Sequence, residues 1–312
     1  MRRVLICGVG QVGAFAARAI AKMGAHVMAL DLNPSTAFLK KYGPSDKATL
    51  IVGDVLNAAL VETLIEIHSI DTIVLSIGLN NENSKPNDDA VWKINVGSCE
   101  SIAIAARKKR GLRVVFLSSF AVYGGVKANG LQEGRPLNPQ STYGRAKVAA
   151  ENHLIRYHNR ELDVRILRPC GIYGPRPNGT GSRSSSLIDM LLAHAINGIT
   201  LTVRTSKDSA DEYLYVKDLS RAIALTALQD TGSSDFIFNV GMGKKTMIPD
   251  LLSAVQHVIP ASSFRVEIEP TNGSYEIPPL DVSRIRRAFG FGARYSLVEG
   301  LHDYLKTVSL PV

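Results

Sequence analysis

Residues 2–13 read RRVLICGVGQVG, a short apolar run closed by Gly8, Gly10 and Gly13, and this stretch decides the fold. The run reads as a first strand and Gln11 to Met23 behind it as a helix, so the glycines fall on a strand-to-helix turn. In that context Gly8 permits the tight turn, Gly10 lets backbone approach a pyrophosphate, and Gly13 allows close helix-to-strand packing. The helix N-terminus then offers free N–H groups and partial positive charge to phosphates. Glycines also punctuate ordinary turns, so the pattern needs company.

Company follows downstream. AHVMALD reads as a second strand ending in Asp31, 18 positions after Gly13, where a carboxylate can accept hydrogen bonds from adenosine ribose hydroxyls. Leu32 and Asn33 offer no cation for a 2′-phosphate, which favours NAD over NADP. Asp54, after the third strand ATLIVGD, stands where a carboxylate can meet the adenine amino group. Each Asp could alternatively cap a turn.

Outward from this core, Val61 to His68 reads as a helix, DTIVLSIG as a strand, Asp89 to Lys109 as one long helix, and RVVFLSS as a fifth strand. Tyr143 to Arg160 is helical and VRILRP is again a strand. Strands alternating with helices imply parallel crossovers and a doubly wound α/β Rossmann sheet. Residues 171–186, GIYGPRPNGTGSRSSS, read as a long surface loop. The expected division is residues 1–170 for the dinucleotide and mainly 171–312 for the substrate in a smaller α/β portion, with a later strand within 213–241 returning to the sheet.

The chain has 312 residues, 45% of them hydrophobic and 21% charged, enough to bury a large core. Its formal charge of +8 is spread without a basic block or interleaved aromatics, which argues against nucleic acid and leaves an anionic substrate as the simpler reason. Three widely spaced cysteines, Cys7, Cys99 and Cys170, fit a reducing compartment. The opening apolar run is too short for a signal peptide or a spanning helix, so no membrane partner and a cytoplasmic location are expected. His153 and His158 lie five apart, off a shared helical face, and no metal site is expected.

Tyr143-Gly-Arg-Ala-Lys147 puts a phenol and an ammonium on one helical face. Free tyrosine, with a pKa of about 10, is a poor base at neutral pH. A neighbouring ammonium favours the phenolate and brings Tyr143 toward working range. Alone, the spacing also describes a surface pair of little consequence. Ser119, at the end of the fifth strand, faces the ligand crevice of a parallel sheet and can bind a reacting oxygen.

FLSSFAVYG, YGRAK, LRPCGIYGP and YLYVKDLSRA, with GVGQVG at the start, resemble the extended short-chain dehydrogenase/reductase superfamily in its NAD-dependent epimerase/dehydratase branch. The resemblance covers nearly the whole chain. It implies Ser119, Tyr143 and Lys147 as catalytic residues. It implies NAD held by Gly8, Gly10, Gln11, Val12, Gly13, Asp31, Asp54, Val55, Ser76, Gly78, Asn95, Tyr143, Lys147, Pro169 and Cys170, with Asn95 supporting the active site. It further implies a homodimer through the helices beginning near Val91 and Tyr143, with Trp92 in core or interface. On Cys170 the alternative is a small buried filler.

Departures narrow the chemistry. Cys7 occupies the first glycine position of the usual Gly-x-x-Gly-x-x-Gly pattern, as in atypical members. Phe120 and Ala121 follow Ser119 where water-eliminating members carry an acidic pair, which disfavours dehydration and also weakens a decarboxylase reading. Gly171 replaces the usual Asn, and Asp211 the usual Arg, on the substrate side. Arg176, Arg183 and Arg204 could bind an anion, with Ser119 and Phe120 also on the substrate side, although solvated loop arginines are commoner. Three functions remain: an epimerase of a sugar or sugar nucleotide working through a transient ketone, a dehydrogenase or reductase of a small polar or anionic compound, and an NAD-sensing module without catalysis.

Overall fold

The computed structural model describes residues 1–44, 48–80, 87–125, 130–158, 162–177, 183–206, 209–269 and 278–307. In chain order the first elements are β1 (Arg3–Cys7), α1 (Gln11–Lys22), β2 (His26–Asp31), α2 (Thr36–Tyr42), β3 (Ala48–Val52), α3 (Ala58–Ile67) and β4 (Thr72–Leu75). There follow α4 (Asp88–Asn95), α5 (Gly97–Ala105), β5 (Leu112–Leu117), a 3₁₀ turn over Phe120–Val122, α6 (Thr142–Ile155), β6 (Leu162–Pro169), β7 (Gly171–Tyr173) and α7 (Arg183–Ile196). The chain continues with β8 (Leu201–Thr205), β9 (Ala210–Asp211), β10 (Tyr213–Tyr215), α8 (Val216–Leu228), β11 (Ile237–Val240), β12 (Thr246–Met247), α9 (Ile248–Val258), β13 (Phe264–Ile268), α10 (Ser283–Phe289) and α11 (Leu297–Leu305).

A seven-stranded sheet in the order β11-β6-β5-β4-β1-β2-β3 is parallel at every pairing. The order reverses beside β1, between β2 and β4, which is where a doubly wound sheet opens its ligand crevice at the carboxyl ends of the strands. Helices cover both faces of the central strands, so β1, β2 and β4 are apolar on both sides, whereas the edge strand β3 is largely exposed. Val4 and Ile6 pack with Ala16, Ala17 and Ile20 of α1 and with Leu219, Ala222 and Ile223 of α8. Leu5 and Cys7 turn to the other face, against Val61, Leu64 and Ile65 of α3 and Ile102 of α5.

A third apolar cluster joins Phe15 and Phe38 to Ile188, Leu191, Tyr215, Leu251, Val255 and Leu301. Around it stand three small strand pairs: β7 with β10, β9 with β12, and β8 with β13. Three stretches differ from the sequence reading. The helix read over 143–160 ends at Ile155, and residues 159–160 lie outside the described residues. The helix over 89–109 breaks at Val96, between α4 and α5, because Asn95 donates its side-chain amide to the Val91 carbonyl one turn back and Gly97 follows. Within 171–186, Gly171–Tyr173 is a strand in register with Tyr213–Tyr215, and α7 starts at Arg183, so tertiary pairing overrides a loop-like composition.

Part of the positive charge is structural. Arg113 and Arg165, buried on adjacent strands, donate to the carbonyls of Ala227, Gln229 and Thr226 at the C-terminal end of α8 and pair with Asp163. Cations suit that end of a helix dipole.

Candidate active site

At the turn after β1, Gly8 has φ +88° and its N–H meets the Leu30 carbonyl at 2.8 Å. A Cβ on Gly13 would stand 1.9 Å from the Gly8 carbonyl oxygen, so α1 lies against the turn only because position 13 lacks a side chain. A Cβ on Gly10 would meet no protein atom within 4 Å. Gly10 is also the N-cap of α1 and offers no side-chain cap, which leaves the first-turn N–H groups of Gln11 and Val12 without intrahelical partners.

Gln11 donates through Nε2 to the Gly174 carbonyl at 2.7 Å, and Val12 packs on the core. Asp31 accepts the Val9 N–H at 2.7 Å and the Asn33 N–H at 2.8 Å, which fixes its carboxylate at the rim of the turn. Asp54 is fixed likewise by the Leu56 N–H at 2.9 Å. Gly8, Asp31, Asp54, Val55, Ile77 and Lys93 border one cavity of about 320 Å³. Ser76 donates to the Gly8 carbonyl at 2.7 Å and locks the turn to β4.

The second half of the site is built on β5 and α6. Ser119 caps the 3₁₀ turn and accepts the Ala121 N–H at 3.1 Å, with Phe120 half-buried beside it. Ser141 caps α6 by accepting the Gly144 N–H at 3.0 Å, and Tyr143 and Lys147 follow on one face. The Lys147 ammonium is buried at 2% exposure, lies 5.6 Å from the centre of the Tyr143 ring and donates to the Leu117 carbonyl at 2.9 Å. Burial pushes Lys147 down to about 8, against the opposing influence of Cys99 and Glu151.

Gly78 joins the two halves: a Cβ there would lie 3.2 Å from both Asn95 Oδ1 and Lys147 Nζ. Asn95 is fully buried and donates to the Leu79 and Val91 carbonyls, while its Oδ1 has no partner among the described residues. Pro169 ends β6, and Cys170 beyond it is buried, its thiol pushed up by burial and by Glu212 and Asp211. On the substrate side, two of the three arginines have acidic partners. Arg176 pairs with Asp189 at 2.5 Å, and exposed Arg204 pairs with Glu267 at 3.0 Å. Arg183 opens α7, and its side chain lies outside the described residues.

Sequence reasoning missed what lies behind Ser119 and Lys147. Glu151 and Arg168 form a buried ion pair at 2.6 Å, and Ser118 donates to the same carboxylate. Arg168 also donates to Tyr123 Oη at 3.1 Å, which donates to Asn239 Oδ1 at 2.7 Å. The available signals were an arginine inside an apolar strand and a glutamate one further turn along the face of Tyr143 and Lys147. Sequence reasoning also passed over Glu212, a buried carboxylate accepting the Gly243 and Leu280 N–H groups, pushed up to about 7 by burial.

Residues 4–241 match the model of the NAD dependent epimerase/dehydratase family. The chain is 30% identical over 263 residues to a UDP-glucose 4-epimerase of Mycolicibacterium smegmatis, covering 82% of each. Among solved structures it is similar to MoeE5 in complex with UDP-glucose and NAD, with a TM-score of 0.77 and 26% identity over 97% of each chain. It also shares its fold with the UDP-glucose-4-epimerase of Stenotrophomonas maltophila, solved with NAD and formylated UDP-arabinopyranose, at a TM-score of 0.86 and 20% identity over 98% of this chain and 97% of that one.

Proposed function

The chain belongs to the NAD dependent epimerase/dehydratase family, and from that premise we propose an NAD-dependent, epimerase-type oxidoreductase acting on a secondary hydroxyl of a sugar or sugar nucleotide through a transient keto intermediate. The observation that carries the reading is the buried Lys147 ammonium 5.6 Å from the Tyr143 ring, on the helix beside Ser119 at the sheet's open edge.

The residues present fit the dinucleotide. α1 begins without a side-chain cap, the approach to Gly10 is free of protein atoms, and Asn95 offers a buried acceptor in need of a donor. Gly8, Gly10, Gly13, Gln11 and Val12 would hold the phosphates, Asp31 the adenosine ribose, and Asp54 and Val55 the adenine. Ser76, Gly78, Asn95, Pro169 and Cys170 would surround the nicotinamide end. NAD, when bound, supplies the hydride acceptor and, on the return step, the donor.

The Ser119 hydroxyl holds the substrate oxygen while Tyr143 takes its proton. The Lys147 ammonium favours the Tyr143 phenolate by proximity of charge and holds the nicotinamide ribose. After the ketone turns over, Tyr143 returns the proton and no net redox change remains. In this reading residues 1–170 serve the cofactor and 171–312 mainly the substrate. A homodimer through α4, α5 and α6 belongs to the same reading, supported by Trp92 standing 40% exposed on α4.

Purified protein given NAD and UDP-glucose is expected to form the epimer without accumulating NADH. Tyr143→Phe is expected to bind NAD normally and to lose at least about 100-fold in turnover. Wild-type turnover in that variant removes Tyr143 from the mechanism.

One observation favours a second reading. A cavity of about 310 Å³ is lined by Ser186, Met190, Val203, Arg204, Asp211 and Tyr213; its carboxylate is buried and its arginine is already neutralised by Glu267. Such a wall suits a small polar substrate better than a diphosphate. Stoichiometric NADH from a simple hydroxy compound would select this dehydrogenase reading.

A further inference from the structure

Tyr143, Lys147 and Glu151 recur every four residues along α6, so one helical face carries the phenol, the ammonium and a carboxylate in succession. Glu151 is 1% exposed, and each of its oxygens is in use. Oε1 accepts from Ser118 Oγ and from Arg168 Nε at 2.9 Å, and Oε2 accepts from Arg168 Nη2 at 2.6 Å. Ser118 immediately precedes Ser119, and Arg168 lies two residues before Cys170. A single carboxylate therefore fastens the ends of β5 and β6 to the helix between them.

Lys147 is surrounded by few charges. The Cys99 thiol faces it from α5, the Tyr143 phenol and Glu151 from its own helix, the Leu117 carbonyl from β5 and the Asn95 amide from α4, with Arg168 of β6 behind Glu151. Burial pushes the Cys99 thiol up to about 12, so at neutral pH it carries no charge. Among the described residues, Glu151, one turn along α6, is then the anion that opposes the effect of burial on the Lys147 ammonium.

Resting on the roles of Tyr143 and Lys147 given above, we propose that Glu151 is a positioning residue. It sets the strand ends bearing Ser119 and Cys170 against α6 and supplies the counter-charge that keeps Lys147 an ammonium.

Chemical denaturation of Glu151→Gln at pH 6 and pH 9, in wild-type and Lys147→Met backgrounds, tests this without substrate. Loss of the carboxylate one helical turn from Lys147 is expected to lower the lysine's titration by about one unit. Without Glu151, Lys147 of the folded protein loses its proton at lower pH while the unfolded chain keeps it, so the variant regains stability earlier as pH rises. The expected result is that the destabilisation by Glu151→Gln shrinks by about tenfold in unfolding equilibrium constant between pH 6 and pH 9, and that the shrinkage is absent beside Lys147→Met. Equal destabilisation at both pH values, or the same shrinkage in the Met background, overturns the proposal. Should Glu151→Gln not fold because Arg168 is left uncompensated, Glu151→Gln/Arg168→Gln carries the same comparison. Failure here leaves the proton-acceptor role of Tyr143 standing, whereas active Tyr143→Phe would sink that role whatever this cycle shows.

Discussion

Replacing Lys147 by methionine should make the protein more stable while abolishing turnover. Burial lowers the lysine from 10.5 to about 8, a difference of about two and a half units. At about 1.36 kcal/mol per unit, holding the ammonium inside the folded protein costs roughly 3 kcal/mol at neutral pH. Methionine fills a similar volume without charge. It gives up the 2.9 Å bond to the Leu117 carbonyl, about 1 kcal/mol, so a net gain of roughly 2 kcal/mol remains.

The pH dependence identifies the cause. Between about pH 8 and 10.5 the unfolded lysine still binds its proton and the folded one does not, so wild-type stability rises through that window. The advantage of Lys147→Met should accordingly be full at pH 7 and nearly gone by about pH 9.5. Urea denaturation of both proteins at these two pH values measures it. A variant less stable than wild type at pH 7, or an advantage unchanged at the higher pH, refutes the reasoning. A stabilising change that removes function is the expected signature of a charge retained for chemistry.

Two alanine substitutions in the glycine turn should separate packing from cofactor binding. At Gly13 a Cβ would fall 1.9 Å from the Gly8 oxygen, so Gly13→Ala should lose about 1–3 kcal/mol of stability as well as NAD affinity; Gly10→Ala, with nothing within 4 Å, should weaken NAD by calorimetry at unchanged stability. Glu212→Gln should flatten the fall in stability between about pH 4.5 and 7, because the folded carboxyl holds its proton to about 7 while the unfolded one releases it near its usual value. Denaturation at both ends of that range decides, and an unflattened profile would assign the titration to other groups.

The sheet was legible because β1 to β5 are short, largely apolar runs, each followed by a helical pattern, and β6 keeps that apolar character around Asp163, Arg165 and Arg168. The turn after β1 was legible because Gly8, Gly10, Gly13 and Asp31 are local in sequence, with Gly8 at positive φ and Gly13 against the Gly8 carbonyl. Contacts made across the fold were hidden. Gly171–Tyr173 looks like a loop until Tyr213–Tyr215 lies beside it. Glu151 looks like a solvated helical residue until Arg168 is brought to 2.6 Å. The break at Val96 depends on the Asn95 amide turning back to the Val91 carbonyl, which no hydrophobic period records. The positive balance of the chain indicated an anion, yet Arg113, Arg165, Arg168 and Arg176 all face acidic partners within the fold.

The most direct test is a crystal structure of the protein soaked or grown with NAD. The account predicts the pyrophosphate at the N-terminus of α1, the adenosine ribose on Asp31, and the nicotinamide ring beneath the Tyr143 oxygen with Lys147 turned to its ribose. A dinucleotide bound elsewhere, or a Tyr143 oxygen directed away from the ring, would contradict it.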